Sequence, residues 1–325
     1  MPPGGEFDLI AQYFKRPVPR GMLGVGDDCA LLPLAPGCQL AVSTDMLVQG
    51  QHFFADVDPR LLGHKALAVN LSDLAAMGAR PLACTLAISL PRVDADWLQG
   101  FAAGFHALAA QAACPLVGGD TTRNPDGVVI SVTVMGEVAG ERALRRDAAQ
   151  ADDDIWVSGT LGAADVALRW LLGQLPAAPQ ALQHARPFLE QPTPRLALGQ
   201  GLLGLAHAAI DISDGLLQDL GHILEASQCG AELWLDALPA HPVLDGLPAD
   251  VRQDALLAGG DVYELCFTAP AARRQPIQAL GAQLGLPLSR VGRVQAGDVA
   301  VRVLDAQGLA VPVAHRGFDH FKGSS

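Results

Sequence analysis

Lysine is almost missing from this sequence. It occurs only at positions 15, 65 and 322, so a lysine-dependent mechanism has few candidates. Basic residues are scarce as a class, 22 against 34 acids, which leaves a net charge of −12. Nucleic-acid binders need a basic face and proteins that dock on anionic bilayers need positive charge, so the balance argues against both kinds of partner. The cysteines, at 29, 38, 84, 114, 229 and 266, form no CxxC pair and no zinc spacing. They read as reduced, mostly buried thiols of a cytoplasmic protein. No apolar run approaches the ~18 residues of a membrane span, and the opening residues, with Glu6 and Asp8, do not read as a signal peptide. Familiar phosphate-handling and catalytic signatures are missing too: there is no GxxxxGKS/T, no HExxH and no GxSxG. Gly24-Val25-Gly26 is followed by Asp27, Asp28 and Cys29, so GxGxxG fails as well.

What is present is a foldable chain. Half of its 325 residues are apolar and 17% are charged, enough to bury a core. The length suggests about two domains. Apolar runs of strand type occur at 38–44, 84–90, 114–120 and 127–138, and helix-type spacing at 63–79 and 94–113. A charged stretch over 139–154 then breaks the pattern, with Asp152-Asp153-Asp154 reading as a solvated charge run. Beyond it come strands at 155–159, 208–213, 231–235 and 262–268, helices at 163–173 and 215–227, and a proline-rich loop around Pro187, Pro192 and Pro194. The expected organisation is two α/β domains in series, residues 1–140 and 150–321, with a tail at 322–325.

The acids sit where chemistry could use them. Gly26-Asp27-Asp28, Ser43-Thr44-Asp45, Gly118-Gly119-Asp120 and Asp211-Ile212-Ser213-Asp214-Gly215 all close apolar runs beside small or hydroxyl residues. Any one of them alone reads as a turn residue or helix cap. Asp73 is different, because it falls inside a helix that is apolar nearly all round, with Val69 and Met77 four residues away. A buried carboxylate needs a partner or becomes neutral, and no arginine is near in sequence. A hard divalent cation such as Mg²⁺ is the natural alternative, since it takes carboxylate, water and phosphate oxygens. Strand ends along one sheet edge could bring these acids together. Asp219 and Glu225 are expected to face solvent on their helix.

Several segments resemble the thiamine-monophosphate kinase family, part of the aminoimidazole ribonucleotide synthetase-like superfamily. They are GEFDLIAQYF at 5–14, VGDDCALL at 25–32, AVSTDMLVQGQHF at 41–53, GHKALAVNLSDLAAMGA at 63–79, VGGDTTR at 117–123, AIDISDGLLQDLGHI at 209–223, GGDVYELCFT at 259–268 and GFDHF at 317–321. The resemblance implies a two-domain α/β (α+β) fold, with an N-terminal mixed sheet that dimerises and a C-terminal α/β domain. It implies ATP-dependent conversion of thiamine monophosphate to thiamine diphosphate by a homodimer. By the same resemblance, Asp28, Ser43, Thr44, Asp45, Asp73, Asp120, Asp211 and Asp214 would hold several Mg²⁺ ions. Gly119, Asp120, Arg146 and Ser213 would contact ATP, and His52, Asp261 and Phe318 would contact thiamine monophosphate. Two departures stand out. The family's Gly-Gly-Glu-Asp-Tyr-Glu-Leu is Gly259-Gly260-Asp261-Val262-Tyr263-Glu264-Leu265 here, and its Gly-Asp before the first C-terminal strand is Asp152-Asp153.

The implied acceptor is a phosphate monoester, which loses its second proton near pKa ~6 and is already anionic at neutral pH. No general base or nucleophilic side chain is required, so positioning and metal charge would supply the catalysis. The alternatives are a sister ATP-dependent enzyme that activates an amide oxygen and an inactive Mg–nucleotide-binding scaffold.

Overall fold

The structure is a computed structural model that describes residues 6–25, 30 and 32–318. It divides into two compact units, Met1–Leu74 with Ala79–Glu141, and Ala75–Gly78 with Arg142–Ser325.

The first unit is built on a four-stranded sheet. Its strands are β1 (Cys38–Val48), β2 (Arg80–Leu90), β3 (Leu116–Arg123) and β4 (Val129–Ala139), in the order β1-β4-β2-β3. β4 runs antiparallel to both neighbours, and β2 and β3 are parallel. The parallel pair requires a crossover, supplied by the helix Ala95–Gln111. Asp94 caps that helix by accepting the Trp97 N–H at 3.2 Å. The helix Pro59–Ala76 joins β1 to β2 and is buried over most of its length. The two helices touch backbone to backbone. A Cβ on Gly63 would lie 2.0 Å from the Phe101 carbonyl oxygen, and one on Gly104 would lie 1.8 Å from that of Arg60. Leu62, Leu67, Leu71, Leu98, Phe101 and Phe105 fill the layer between helices and sheet, with Leu86, Ile88, Ile130 and Val132 below. Each of these strands is two to four residues longer or shifted relative to its apolar run. β1 continues past Thr44 to Val48, and β2 begins four residues earlier than its run, at Arg80.

The second unit carries a six-stranded sheet: β5 (Asp154–Ser158), β6 (Ala208–Asp211), β7 (Gly230–Trp234), β8 (Leu265–Ala269), β9 (Leu288–Gln295) and β10 (Val301–Leu304). The order is β10-β7-β9-β5-β8-β6, antiparallel except for β10 with β7. Both faces are covered. Ile155, Val157, Ile210, Val166 and Leu220 belong to one cluster, and Trp156, Phe267, Leu202 and Ile277 to the other. Strands buried on two faces read as continuous apolar runs, which is why β5, β6 and β8 stand out in the sequence.

Several expectations are corrected here. Pro187 lies inside the helix Pro179–Glu190 and not in a loop. Its missing N–H removes one i→i−4 hydrogen bond, a cost set against the burial of Ala185 and Leu189 by the same helix. Residues 262–264 are not strand: Asp261 and Tyr263 have φ of +57° and +54°. The acidic run at 152–154 is only solvated at Asp152. Asp153 is 2% and Asp154 1% exposed. Asp153 accepts the Gln150 N–H and pairs with His207, while Asp154 binds Arg274 at 2.5 Å and Arg290 at 3.2 Å. Those guanidiniums hold the Asp154 carboxyl below its usual range despite the burial.

Candidate active site

In the first unit, β1 and the Pro59–Ala76 helix position the acids. Alternation along β1 aims Ser43, Asp45 and Leu47 toward the helices and leaves Leu40, Val42, Thr44 and Met46 on the other face. The Ser43 hydroxyl donates to Asp73 Oδ2 at 2.6 Å. The Asp45 N–H donates to Asn70 Oδ1 at 2.8 Å, and Asn70 Nδ2 is anchored on the Ala66 carbonyl at 3.0 Å. Because β1 is an edge strand, that outward N–H would otherwise lack a ladder partner. Asn70, 1% exposed, therefore fixes the register of helix against strand. Burial, reinforced by the Asp73 charge, pushes the Asp45 pKa up to about 6. Two carboxylates held this close invite a cation. The donors are all hard oxygens, the set that Mg²⁺ selects, and water and phosphate oxygens would complete an octahedron. Among the described residues, no three His, Cys, Asp or Glu side chains gather into a metal cage of their own.

The other predicted residues of this unit stand elsewhere. The Thr44 hydroxyl lies on the opposite face, donating to the Val132 carbonyl and accepting from Thr133. Asp120 is on β3, the far edge of the sheet, and by register it shares the face of Ala87, Ser131 and Met46. The sheet of one chain thus does not bring Asp120 to Asp45. Gly119 has φ of +154°, and a Cβ there would fall 1.9 Å from the Leu86 carbonyl oxygen, so packing alone demands glycine. His52 sits in the turn after β1, where its Nδ1 accepts the Val48 N–H at 3.0 Å. In its neutral form the proton is therefore on Nε2. Asp28 lies outside the described residues.

In the second unit, Asp211 ends β6, 5% exposed, and the chain then turns through Ser213-Asp214-Gly215 into the helix Leu216–Ser227. Asp219, four residues into this turn and helix, reaches back. Its Oδ2 accepts the N–H groups of Ser213, Asp214 and Gly215 at 3.0, 3.1 and 3.1 Å. Asp219 is 2% exposed and does not face solvent as its helix position suggested. Burial and the neighbouring Asp214 carboxylate push its pKa up to about 7, against the pull of the three N–H bonds. The Ser213 carbonyl accepts the Asp261 N–H, the Ile212 carbonyl accepts the Tyr263 N–H, and the Tyr263 hydroxyl lies 3.2 Å from Asp261 Oδ1. The Asp214 carbonyl accepts the Phe318 N–H at 3.0 Å. Ser213, Asp214, Asp261 and Phe318, far apart in sequence, are thereby brought together. Val262 packs against the core of this unit, so its departure from the family pattern is met by packing. Arg146 is exposed on a short turn and enters no ion pair among the described residues, and its carbonyl accepts the Ser227 hydroxyl.

Sequence reasoning missed Asn70 and Asp219. A polar residue three positions before Asp73 on an apolar helix is a signal for the first. An acid in the first turn of a helix, within reach of the loop N–H groups, is a signal for the second.

Residues 26–138 match the family model described as AIR synthase related protein, N-terminal domain, and residues 150–304 match its C-terminal domain. The thiamine-monophosphate kinase of Salmonella typhimurium is 44% identical over 98% of both chains. That of Bacillus subtilis is 31% identical over 98% of this chain and 99% of its own. Among solved structures, the thiamine-monophosphate kinase of Stenotrophomonas maltophilia superposes with a TM-score of 0.83 at 49% identity, covering 90% of this chain and 93% of its own. AaThiL complexed with AMPPCP and TMP superposes with a TM-score of 0.77 at 29% identity, covering 89% of this chain and 90% of its own. Similarity of this extent, along the whole chain and across both domains, shows that the chain belongs to the thiamine-monophosphate kinase family.

Proposed function

We propose that this protein transfers the γ-phosphoryl group of ATP to thiamine monophosphate, giving thiamine diphosphate and ADP. The observation that carries the reading is the Ser43–Asp45–Asp73 group: two neighbouring carboxylates and a hydroxyl, all oxygen donors, set into an apolar layer. Ser43, Asp45 and Asp73, with Asp28, Thr44, Asp120, Asp211 and Asp214, are the residues that would hold Mg²⁺. The bound cation would supply positive charge for the triphosphate and for the charge that develops on the transferring group.

The chain's own residues do the rest. Ser43 and Asn70 orient Asp73 and Asp45, and Asp219 holds the loop that carries Ser213 and Asp214. Gly119, Asp120, Arg146 and Ser213 bind the nucleotide. Asp261 places a carboxylate near the cationic thiazolium, Phe318 offers a ring face to the heterocycle, and His52 meets the acceptor with its Nε2 side. An acceptor phosphate oxygen forms the new P–O bond while the bond to the β-phosphate bridging oxygen breaks in line. No phosphoenzyme intervenes, because the acceptor is already an anion and no side chain needs to be activated.

The active form is a cytoplasmic homodimer joined through the first unit's sheet. Leu40, Val42 and Met46 project from one face of β1 and are 50%, 58% and 57% exposed. A row of apolar side chains on an edge strand is an association surface. Among the described residues, no helix is long and apolar enough to cross a membrane.

The test is to incubate the protein with ATP, Mg²⁺ and thiamine monophosphate, with free thiamine as control. Thiamine diphosphate should form from the monophosphate alone, and Asp45→Asn should abolish both turnover and Mg²⁺-dependent ATP binding. A phosphorylated Asp or His trapped during turnover would overturn direct transfer. Val42→Asp should shift the dimer to monomer in sedimentation velocity, and an unchanged sedimentation coefficient would move the interface elsewhere.

A further inference from the structure

Residues 311–318 carry no helix or strand, yet they are tied down along their length within the second unit. The Val311 N–H donates to the Val303 carbonyl at 2.8 Å. Gln253 Nε2 donates to the Pro312 carbonyl at 2.8 Å, and His315 Nδ1 lies 3.0 Å from Asp254 Oδ2. Both anchors belong to the helix Ala249–Leu257. At the other end the Phe318 N–H donates to the Asp214 carbonyl, and the Phe318 carbonyl accepts from Gln218 Nε2 at 2.8 Å.

Gln218 does more than fasten this strap. The same Nε2 donates to Asp214 Oδ2 at 3.1 Å. A primary amide has two N–H groups, one for each acceptor. One side chain thus joins the carbonyl of the residue read as the acceptor contact to the carboxylate read as a metal ligand. The approach is close: a Cβ on Gly317 would lie 2.6 Å from the Gln218 Cβ and 2.9 Å from the Asp214 carbonyl oxygen. Any shift of the strap at Phe318 therefore pulls on an amide that also orients Asp214.

We infer that Gln218 is a positioning residue that couples the acceptor to the metal. It ties the strap bearing Phe318 to the Asp214 carboxylate, so that seating the thiamine heterocycle and setting that carboxylate are one event. The inference rests on the function proposed above. Coupling between two ligands is reciprocal, so thiamine monophosphate should lower the Mg²⁺ requirement and Mg²⁺ should tighten the acceptor.

The test uses the full chain and the variants Gln218→Met and Gln218→Ala, of which the first keeps most of the side-chain volume. In the wild type with a non-hydrolysable ATP analogue, the Kd of thiamine monophosphate measured by calorimetry should fall at least about threefold between low and saturating Mg²⁺, and the Mg²⁺ concentration for half-maximal turnover should fall in step between low and saturating thiamine monophosphate. In either variant that dependence should vanish and KM for thiamine monophosphate should rise about 5–10-fold, the loss expected for one hydrogen bond. The double variant Gln253→Ala/His315→Ala loosens the strap from its other end. It should raise KM for thiamine monophosphate while leaving the Mg²⁺ dependence on acceptor intact, an outcome that a merely structural Gln218 would not distinguish. Variants that keep the wild-type KM and the wild-type Mg²⁺ dependence overturn the inference, as does a wild type whose Mg²⁺ requirement ignores the acceptor. Should neither Gln218 variant fold, the wild-type Mg²⁺ titration decides alone. A wild type that makes no thiamine diphosphate instead refutes the proposed function, and the two failures are separate readings of the same assay.

Discussion

Replacing Asp219 with Ala removes the acceptor for three backbone N–H groups at 3.0, 3.1 and 3.1 Å. Leaving a buried donor unpaired costs about 1–3 kcal/mol. Gly215 is buried and feels the full penalty, whereas Ser213 and Asp214 are half-buried and regain part of theirs from water. Against this stands the relief of a desolvated carboxylate beside Asp214. The net loss expected is about 2–4 kcal/mol, while Asp219→Asn, which can still present an oxygen, should lose less than about 1.5 kcal/mol. Urea unfolding followed by tryptophan fluorescence measures the loss, since Trp156 and Trp234 report on this unit. Amide exchange at residues 213–215 localises it. The pH dependence has a definite sign. The native pKa is raised from 3.8 to about 7, so the stability this group contributes is complete below about pH 4 and is lost as pH rises through 7. The Ala deficit should therefore be larger at pH 5 than at pH 8, and Asp219→Asn should gain on the wild type over the same range. An Ala variant within about 0.5 kcal/mol of wild type, with unchanged exchange at 213–215, would refute the claim that this carboxylate holds the loop.

Other perturbations have equally definite outcomes. Asp45→Asn should raise the stability of the Mg²⁺-free protein by about 1–3 kcal/mol, because a strained carboxylate pair is replaced by a neutral amide; a thermal melt in chelator reads this. Asp152 has φ of +72°, a backbone conformation that favours glycine, and its bond to Arg293 is solvent-exposed, so Asp152→Gly should be neutral or stabilising by up to about 1 kcal/mol in urea titrations. Gly63→Ala should cost more than about 2 kcal/mol, because its Cβ would need to displace a backbone carbonyl 2.0 Å away; a small change would mean the helices separate freely.

The strands and helices nearest the motifs were legible because their burial is simple. β5, β6 and β8 are covered on both sides and show as unbroken apolar runs. β9 and β10 were missed, as LSRVGRVQ and VRVL mix arginine with valine. Arg290 explains part of that mixture, lying 4.9 Å above the Trp234 ring and bonded to Asp154. Residues 262–264 passed for strand because Val262 and Tyr263 lead straight into the apolar run of β8, whereas positive φ at Asp261 and Tyr263 makes this stretch a turn held by the 212–213 carbonyls. At the site, residue types were readable and faces were not. Thr44 falls opposite Asp45 only because β1 runs on past both to Val48, and which side Asp120 takes depends on strand register, which a run of apolar letters does not specify. Asp219 was misread because its helix position points outward only if the preceding loop stays away, and here the loop folds over it.

The placement of Asp45 and Asp120 has a practical consequence. They occupy opposite faces of a four-stranded sheet and its two outer strands, about 14 Å apart by strand spacing alone. If a compact triphosphate is to meet both acids, they must come from different copies of the chain. Specific activity then ceases to be a property of the molecule and becomes a property of its concentration. Turnover per mole should fall on dilution into the range where copies separate, and a mixture of Asp45→Asn and Asp120→Asn proteins, each inert alone, should regain part of the lost rate.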